Sequence, residues 1–296
     1  MVTLQEFFKA AVQDVGSGQY AEAIRKLELI MTHKIGADDK SKACVLLGGA
    51  HLVIGNNEHG VRRLKEALSV APINFEAWSN LSEGYRRLGR FDEAVEASGK
   101  ALTLKPDYAE AYNNMGNALK EQGKLNDALV SYHKALTLKP DYAEVHYNMG
   151  AGLPIQGKLD EAIASYRKAP TLKPDYAEAH YNMGNALKEL GKLDDALASY
   201  REALTLKPDY TGAYANMGNA LQGQGKLDDA IASYSKALSV KADHVETNYN
   251  LGLLLFQTYQ YNEAAEHFES SDFENSKHWL LRCLYSQDKE TLFLIN

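Results

Sequence analysis

Cysteine is nearly absent: Cys44 and Cys283 are the only two in 296 residues, and they form no Cys-x-x-Cys pair. That argues against a disulfide framework and a thiolate zinc site, and it fits a reducing compartment. An excess of basic charge is missing too. The chain carries 32 Lys and Arg against 39 Asp and Glu, a formal net charge of −7. It has no electrostatic footprint for nucleic acid, so no nucleic-acid partner is expected. Long apolar runs are lacking, and LGLLLF at 251–256 is far too short to span a bilayer, so no membrane partner is expected. The start, MVTLQEFFKAAVQD, carries Glu6 and has no apolar core ahead of a small-residue cleavage site, unlike a secretory signal. A soluble, cytoplasmic chain is the expectation. No His-Glu-x-x-His, His-x-Asp facial pair or Gly-x-Ser-x-Gly occurs. Hydrolase and metal-oxygenase chemistry therefore lack their residues, and the expectation is no enzyme, no metal and no cofactor in this chain.

What is present is repetition. PDYAEAYNNMGNALKEQGKLNDALVSYHKALTLK at 106–139 is followed at once by PDYAEVHYNMGAGLPIQGKLDEAIASYRKAPTLK. In a unit counted from Ala109, Tyr112 stands at position 4, Met115-Gly116 at 7 and 8, and Leu119 at 11. Ala128 follows at 20, Tyr132 at 24, Ala135 at 27 and Pro140 at 32. Further units start at Ser41, Phe75, Ala143, Ala177, Thr211 and Val245, and a divergent one occupies residues 1–40 with three extra residues. The array thus runs over 41–278, and 279–296 reads as a terminal helix. Positions 4, 7, 8 and 11 make a helical stripe. Small residues at 8 and 20 let two helices approach. Gly-Lys near 15 breaks the helix, Asp or Asn at 18 suits the start of the second, and Pro at 32 stops it. One such pair cannot bury its apolar face alone, so the fold expected is an all-α solenoid of about eight antiparallel helix pairs.

The pattern W/Y-x2-L/M-G-x2-Y/L…A-x3-F/Y…P, recurring through four near-perfect units, resembles the tetratricopeptide repeat. That resemblance implies a right-handed superhelix whose first helices line a concave groove. On a helical wheel, positions 2, 5, 6, 9, 12 and 13 fall opposite the packing stripe, on the face expected to stay open. Position 6 reads Asn80, Asn114, Asn148, Asn182, Asn216 and Asn250. The divergent units from Phe75 and Val245 keep this Asn, although it is a poor mid-helix residue, about 0.5 kcal/mol worse than Ala. A carboxamide offers one acceptor and two donors. A regular column of them is expected to hold the main chain of an extended peptide, with Asn117, Asn185 and Asn219 at position 9 as a second row. The competing reading is packing or cap chemistry. The column, and the phrase AEAYNNMGNALKEQGKL, resemble the repeat region of nucleocytoplasmic O-linked N-acetylglucosamine transferases.

The function expected is therefore a protein-interaction scaffold. The alternative is the substrate-recruiting part of a larger enzyme, a glycosyltransferase or 2-oxoglutarate oxygenase, whose catalytic domain lies outside this chain. SKHWLLRCLYSQDKETLF resembles connectors that run into such catalytic modules, with an apolar stripe through Trp279, Leu280, Cys283 and Leu284. The apolar end TLFLIN reads as a truncated helix or a lead into a further domain. Apolar ends also raise end-to-end self-association. A carboxylate clamp is disfavoured, because position 2 carries Glu76, Glu110, Glu144, Glu178 and Glu246, and no Arg stands at position 6 from Phe75 onward. Gly152-Leu-Pro-Ile-Gln-Gly157-Lys158 mimics a phosphate loop but continues with Leu159, so it reads as the ordinary inter-helix turn. His146 and His180 sit in the aromatic slot, and His244 and Glu246 lack a second His at metal spacing. Pro154 and Pro170 fall inside helices of the unit from Ala143, which is expected to be the least stable and to act as a bend.

Overall fold

The computed structural model describes residues 4–271 and 275–295, with side chains described over 5–271 and 275–286. Among these residues the chain is all α-helix, with one 3-10 turn and no strand. The side chains of TLFLIN lie outside the described residues. The chain divides into two compact units, Met1–Gly152 and Leu153–Asn296.

The first unit holds α1 (Leu4–Gly16), α2 (Tyr20–Met31), α3 (Ala37–Val53), α4 (Asn57–Val70), α5 (Phe75–Arg87), α6 (Phe91–Leu104), α7 (Ala109–Glu121), α8 (Leu125–Leu138) and α9 (Ala143–Gly152). Each helix packs on the next, and successive first helices also meet: α1 with α3, α3 with α5, α5 with α7, α7 with α9. The second unit opens with the 3-10 turn Pro154–Gln156. It continues through α10 (Leu159–Leu172), α11 (Ala177–Glu189), α12 (Leu193–Leu206), α13 (Thr211–Gly223), α14 (Leu227–Val240), α15 (Val245–Gln257), α16 (Tyr261–Glu269) and α17 (Ser276–Ile295). Its helices also pack in chain order, with α11 on α13 and α15 on α17. This is an all-α solenoid, as the period requires.

Close approach at position 8 sets the pair geometry. A Cβ on Gly116 would lie 2.5 Å from the Tyr132 ring; on Gly184 or Gly218 it would lie 2.6 Å from Tyr200 or Tyr234. Those three tyrosines are fully buried. Ala128, Ala196 and Ala230 at position 20 are buried opposite, so no side chain larger than methyl is called for there. The residue at position 18 does not cap the second helix. The residue before each of those helices is Lys124, Lys158, Lys192 or Lys226, none with a side-chain cap bond. Asp160, Asp194 and Asp228 instead lie in the first turn, where a carboxylate favours the helix dipole.

Several expected boundaries shift for local reasons. The three extra residues before Ser41 are absorbed by a longer helix: α3 starts at Ala37 after Gly36 and runs 17 residues. Pro154 has no N–H to continue α9, which ends at Gly152 after 10 residues where α7 and α11 have 13. Pro170 is tolerated: α10 runs through it to Leu172, with the same 14 residues as α12. Its place near the C-terminus limits the cost. Gly157, the end of the phosphate-loop mimic, has φ +73, like Gly123 at +75 and Gly191 at +71, so it is the common inter-helix turn.

Candidate functional site

The asparagines of positions 6 and 9 lie on the first helices of each pair, and their bonding is specific. In the first unit, Asn114 on α7 donates Nδ2 to the Ser79 carbonyl at 3.0 Å and to Ser79 Oγ at 3.1 Å, one repeat back on α5. Asn148 on α9 likewise donates to Asn113 Oδ1 at 3.0 Å. Asn117 accepts at Oδ1 from the buried Tyr132 hydroxyl at 2.8 Å. Asn80 is half-buried.

In the second unit the same positions form a connected network. The Tyr200 hydroxyl donates to Asn185 Oδ1 at 2.9 Å, and Asn216 Nδ2 donates to that oxygen at 2.8 Å and to the Tyr181 hydroxyl at 3.0 Å. Asn216 Oδ1 accepts from Asn219 Nδ2 at 3.2 Å and Lys188 Nζ at 3.3 Å, which accounts for both donors and both lone pairs of that amide. Asn219 Oδ1 then accepts from Tyr234 at 2.6 Å and from Asn250 Nδ2 at 3.2 Å. Asn182 is half-buried on α11.

The wheel reading of this face needs a correction. Position 5 is not open: Ser79, Asn113 and Ala215 are buried, and Asn148 at position 6 is only 8% exposed. Successive first helices touch one another, so a face that is free on an isolated helix is half covered by the neighbouring repeat. Asn114, Asn117, Asn182, Asn185, Asn216, Asn219 and Asn250 remain half-buried rather than sealed.

Charged groups border the amides. Burial disfavours the charged form of Lys120 and of Lys188 and pushes both pKa values down. Burial alone would raise the Glu83 pKa, but hydrogen bonds from Arg86 and Arg87 outweigh it and hold the carboxyl below its usual range. Of the acidic row at position 2, Glu110 pairs with Lys139 and Glu178 with Lys207, each at 3.6 Å. Those lysines also lie over Tyr142 and Tyr210, 4.6 and 4.8 Å from the ring centres, so these two glutamates belong to a repeat junction.

Slot residues are junction parts as well. Trp78 Nε1 donates to the Pro72 carbonyl at 2.9 Å, and His146 Nε2 lies 3.0 Å from the Pro140 carbonyl, six residues back in both cases. His244 caps α15, with Nδ1 accepting from the Thr247 N–H. Among the described residues no group of three or more His, Cys, Asp or Glu is placed to hold a metal ion. Among them, too, no helix is long and apolar enough to cross a membrane.

Sequence reasoning missed the tyrosine at position 24 as the anchor of the position 9 amide. A signal was available. Tyr132, Tyr200 and Tyr234 each follow an Asn by 15 residues, whereas Phe268, which has no hydroxyl, follows Leu253.

Comparison with known proteins agrees with this architecture. A family model described as TPR repeat matches residues 84–123, 116–151, 155–191, 184–225 and 223–258, more than half of the chain. The chain belongs to the TPR repeat family. Among solved structures, one titled "Crystal structure of MamA" is 30% identical with a TM-score of 0.52, over 55% of this chain and 95% of that one. YrrB, titled "a TPR protein with an unusual peptide-binding site", is 21% identical with a TM-score of 0.53, over 67% and 97%. The APC/C hetero-tetramer Cut9-Hcn1 is 15% identical with a TM-score of 0.64, over 90% and 52%, and shows the fold alone. No curated protein matches the chain significantly.

Proposed function

We propose that this chain is a protein-interaction scaffold that holds an extended peptide by its main chain along the asparagine-bearing first helices. One observation carries the reading: what the internal hydrogen bonds leave over. On α7, Asn114 engages Nδ2 internally and Asn117 engages Oδ1 internally. Their opposite ends, Asn114 Oδ1 and Asn117 Nδ2, have no partner among the described residues. The two side chains are i, i+3 neighbours on one helix face. An acceptor beside a donor is the complement of a peptide N–H and C=O. In the second unit Asn185 Nδ2 and Asn250 Oδ1 are left over in the same sense. The amides are fixed by the repeats behind them, so binding orders few side chains. Asn148, Asn182, Asn216 and Asn219 then act mainly in support of the amides that touch the ligand, whereas the Asn80 side chain, with no internal hydrogen bond among the described residues, meets the ligand directly. The likeness of the repeats to those of O-linked N-acetylglucosamine transferases, and of YrrB to this fold, points the same way. A soluble, cytoplasmic setting suits such a role.

The test is a peptide array of random 12-residue sequences, followed by N-methylation scanning of the best binder. Blocking main-chain N–H groups at alternate residues is expected to weaken binding about tenfold per site, at about 1–1.5 kcal/mol per lost hydrogen bond. Asn117→Ala is expected to do the same without lowering the melting temperature by more than a few degrees. Binding indifferent to N-methylation would show that the main chain is not what is held.

A further inference from the structure

The repeat made of α3 and α4 departs from the later ones at two positions that meet in space. Position 11 is a buried Tyr85, Leu119, Leu153, Leu187, Leu221 or Leu255 in the six later repeats. Here it is His51, only 8% exposed. Position 19 is Asp or Glu in the same six repeats, and His59 here. The two rings lie 5.6 Å apart across the contact between α3 and α4. An imidazole thus fills a slot that elsewhere holds an apolar body, and a second imidazole stands where a carboxylate would be.

The surroundings suit only the neutral ring. His51 Nδ1 is sealed from solvent and has no hydrogen-bond partner among the described residues. A protonated ring carries an N–H on both nitrogens, so the Nδ1 donor would be buried and unpaired. The helix backbones are close beside it: a Cβ on Gly60 would lie 2.9 Å from the Gly48 carbonyl oxygen. That leaves little room for the ring to turn towards water. From α4, His59, Arg62 and Arg63 all oppose a positive charge on His51. Glu28 on α2 attracts one, but that carboxylate is already paired with Arg63 at 2.8 Å. From α5, Arg87 donates to the Leu52 carbonyl at 2.7 Å, next to His51 in the chain. From α1, the buried Asp14 is paired with Lys26 at 2.6 Å. Burial above all, and then the neighbouring His59, Arg63 and Arg62, hold the His51 pKa below its ordinary 6.5.

We propose that His51 makes the α3–α4 pair an acid-sensitive joint, which loosens in mildly acidic solution while the pair α7–α8 of the same unit stays closed. The unfolded segment takes up a proton near pH 6.5, whereas the folded pair resists it until a lower pH. Stability is therefore full above about pH 6.5 and declines as pH falls from there to the folded value. One proton changes the opening equilibrium by at most about tenfold per pH unit. The joint does not depend on peptide binding by the asparagines.

The test is hydrogen exchange on the full chain between about pH 7.5 and 5.5, read as protection factors so that the intrinsic pH dependence of exchange is removed. Both values lie above the range in which Glu83 titrates. Peptides of α3 and α4 are expected to lose protection, by up to about tenfold per pH unit, while those of α7 and α8 hold theirs. His51→Leu restores the residue of the other repeats and is expected to abolish the loss. His59→Glu, which restores the acid of position 19, is expected to reduce it. Because a core variant could be dismissed as misfolded, the His51 imidazole is also titrated by NMR in the unaltered chain, and a midpoint below 6.5 is expected. Unchanged protection in α3 and α4, a loss shared equally by α7 and α8, an undiminished loss in His51→Leu, or a His51 midpoint at or above 6.5 would each overturn the proposal.

Discussion

Replacing Asn216 by Ala separates two explanations of the asparagine column by the sign of the effect. Suppose the amide contributes nothing to the folded chain. Ala then gains its better helix propensity, and the helix is stabilised by about 0.5 kcal/mol. The structure predicts the reverse. Asn216 makes two good donations, to Asn185 Oδ1 at 2.8 Å and Tyr181 Oη at 3.0 Å, and two longer acceptances from Asn219 and Lys188. At about 1 kcal/mol for each of the shorter bonds and a little for the longer pair, roughly 2 kcal/mol is lost. After the propensity gain, a net loss of about 1.5 kcal/mol remains. A single global unfolding energy is poorly defined for a repeat array, so the assay is hydrogen exchange resolved to peptides of α11 and α13. Exchange there should speed up about tenfold, since 1.4 kcal/mol is a factor of ten. Asn80→Ala is the internal control. The Asn80 side chain has no hydrogen bond among the described residues, so its replacement should slow exchange slightly in α5. If Asn216→Ala also slows exchange, the network is geometrically present but energetically idle, and the argument fails.

Three further outcomes are expected. Gly184→Val places a Cβ 2.6 Å from the Tyr200 ring, which is buried and cannot swing aside; a cost of about 1–3 kcal/mol should appear as a lower melting temperature, and an unchanged value would refute the close-packing account. The Glu83 carboxyl has a folded pKa below its ordinary 4.5, so its stabilising effect is full above that value and fades as pH falls through the folded one. Acid titration followed by exchange in α5 should therefore show loosening below about pH 4.5, and Glu83→Gln should remove that pH dependence. Pro154→Ala restores an N–H at the end of α9 and should lengthen that helix; exchange over 150–157 should slow, and no change would mean that Pro154 is not what ends it.

The 34-residue period placed the helices, the turns and the close contacts, because each follows from spacing within one unit. Gly116, Gly184 and Gly218 were legible as contact points for that reason. The asparagine face was legible only in part. A wheel describes one helix in isolation, whereas the burial of Ser79, Asn113 and Asn148 is set by the neighbouring repeat, about 34 residues away. The cap role expected at position 18 failed on a smaller point. Backbone hydrogen bonds start each second helix from the residue at 16, as in Ala128 N–H to the Lys124 carbonyl, so position 18 is already inside the first turn. Apolar character groups Leu284 with Trp279, Leu280 and Cys283, yet it is 48% exposed, since four residues from 280 to 284 turn it past the buried arc.

The side-chain bonds between first helices join residues 28, 31 or 35 apart, one repeat and no further. Each copy therefore carries both a plug for the copy before it and a socket for the copy after it. A stretch of 34 residues spliced in tandem arrives with its connections already matched. An array wired this way can be lengthened by simple copying, and its near-identical middle units, from Ala109 to Thr211, are what such growth would leave behind.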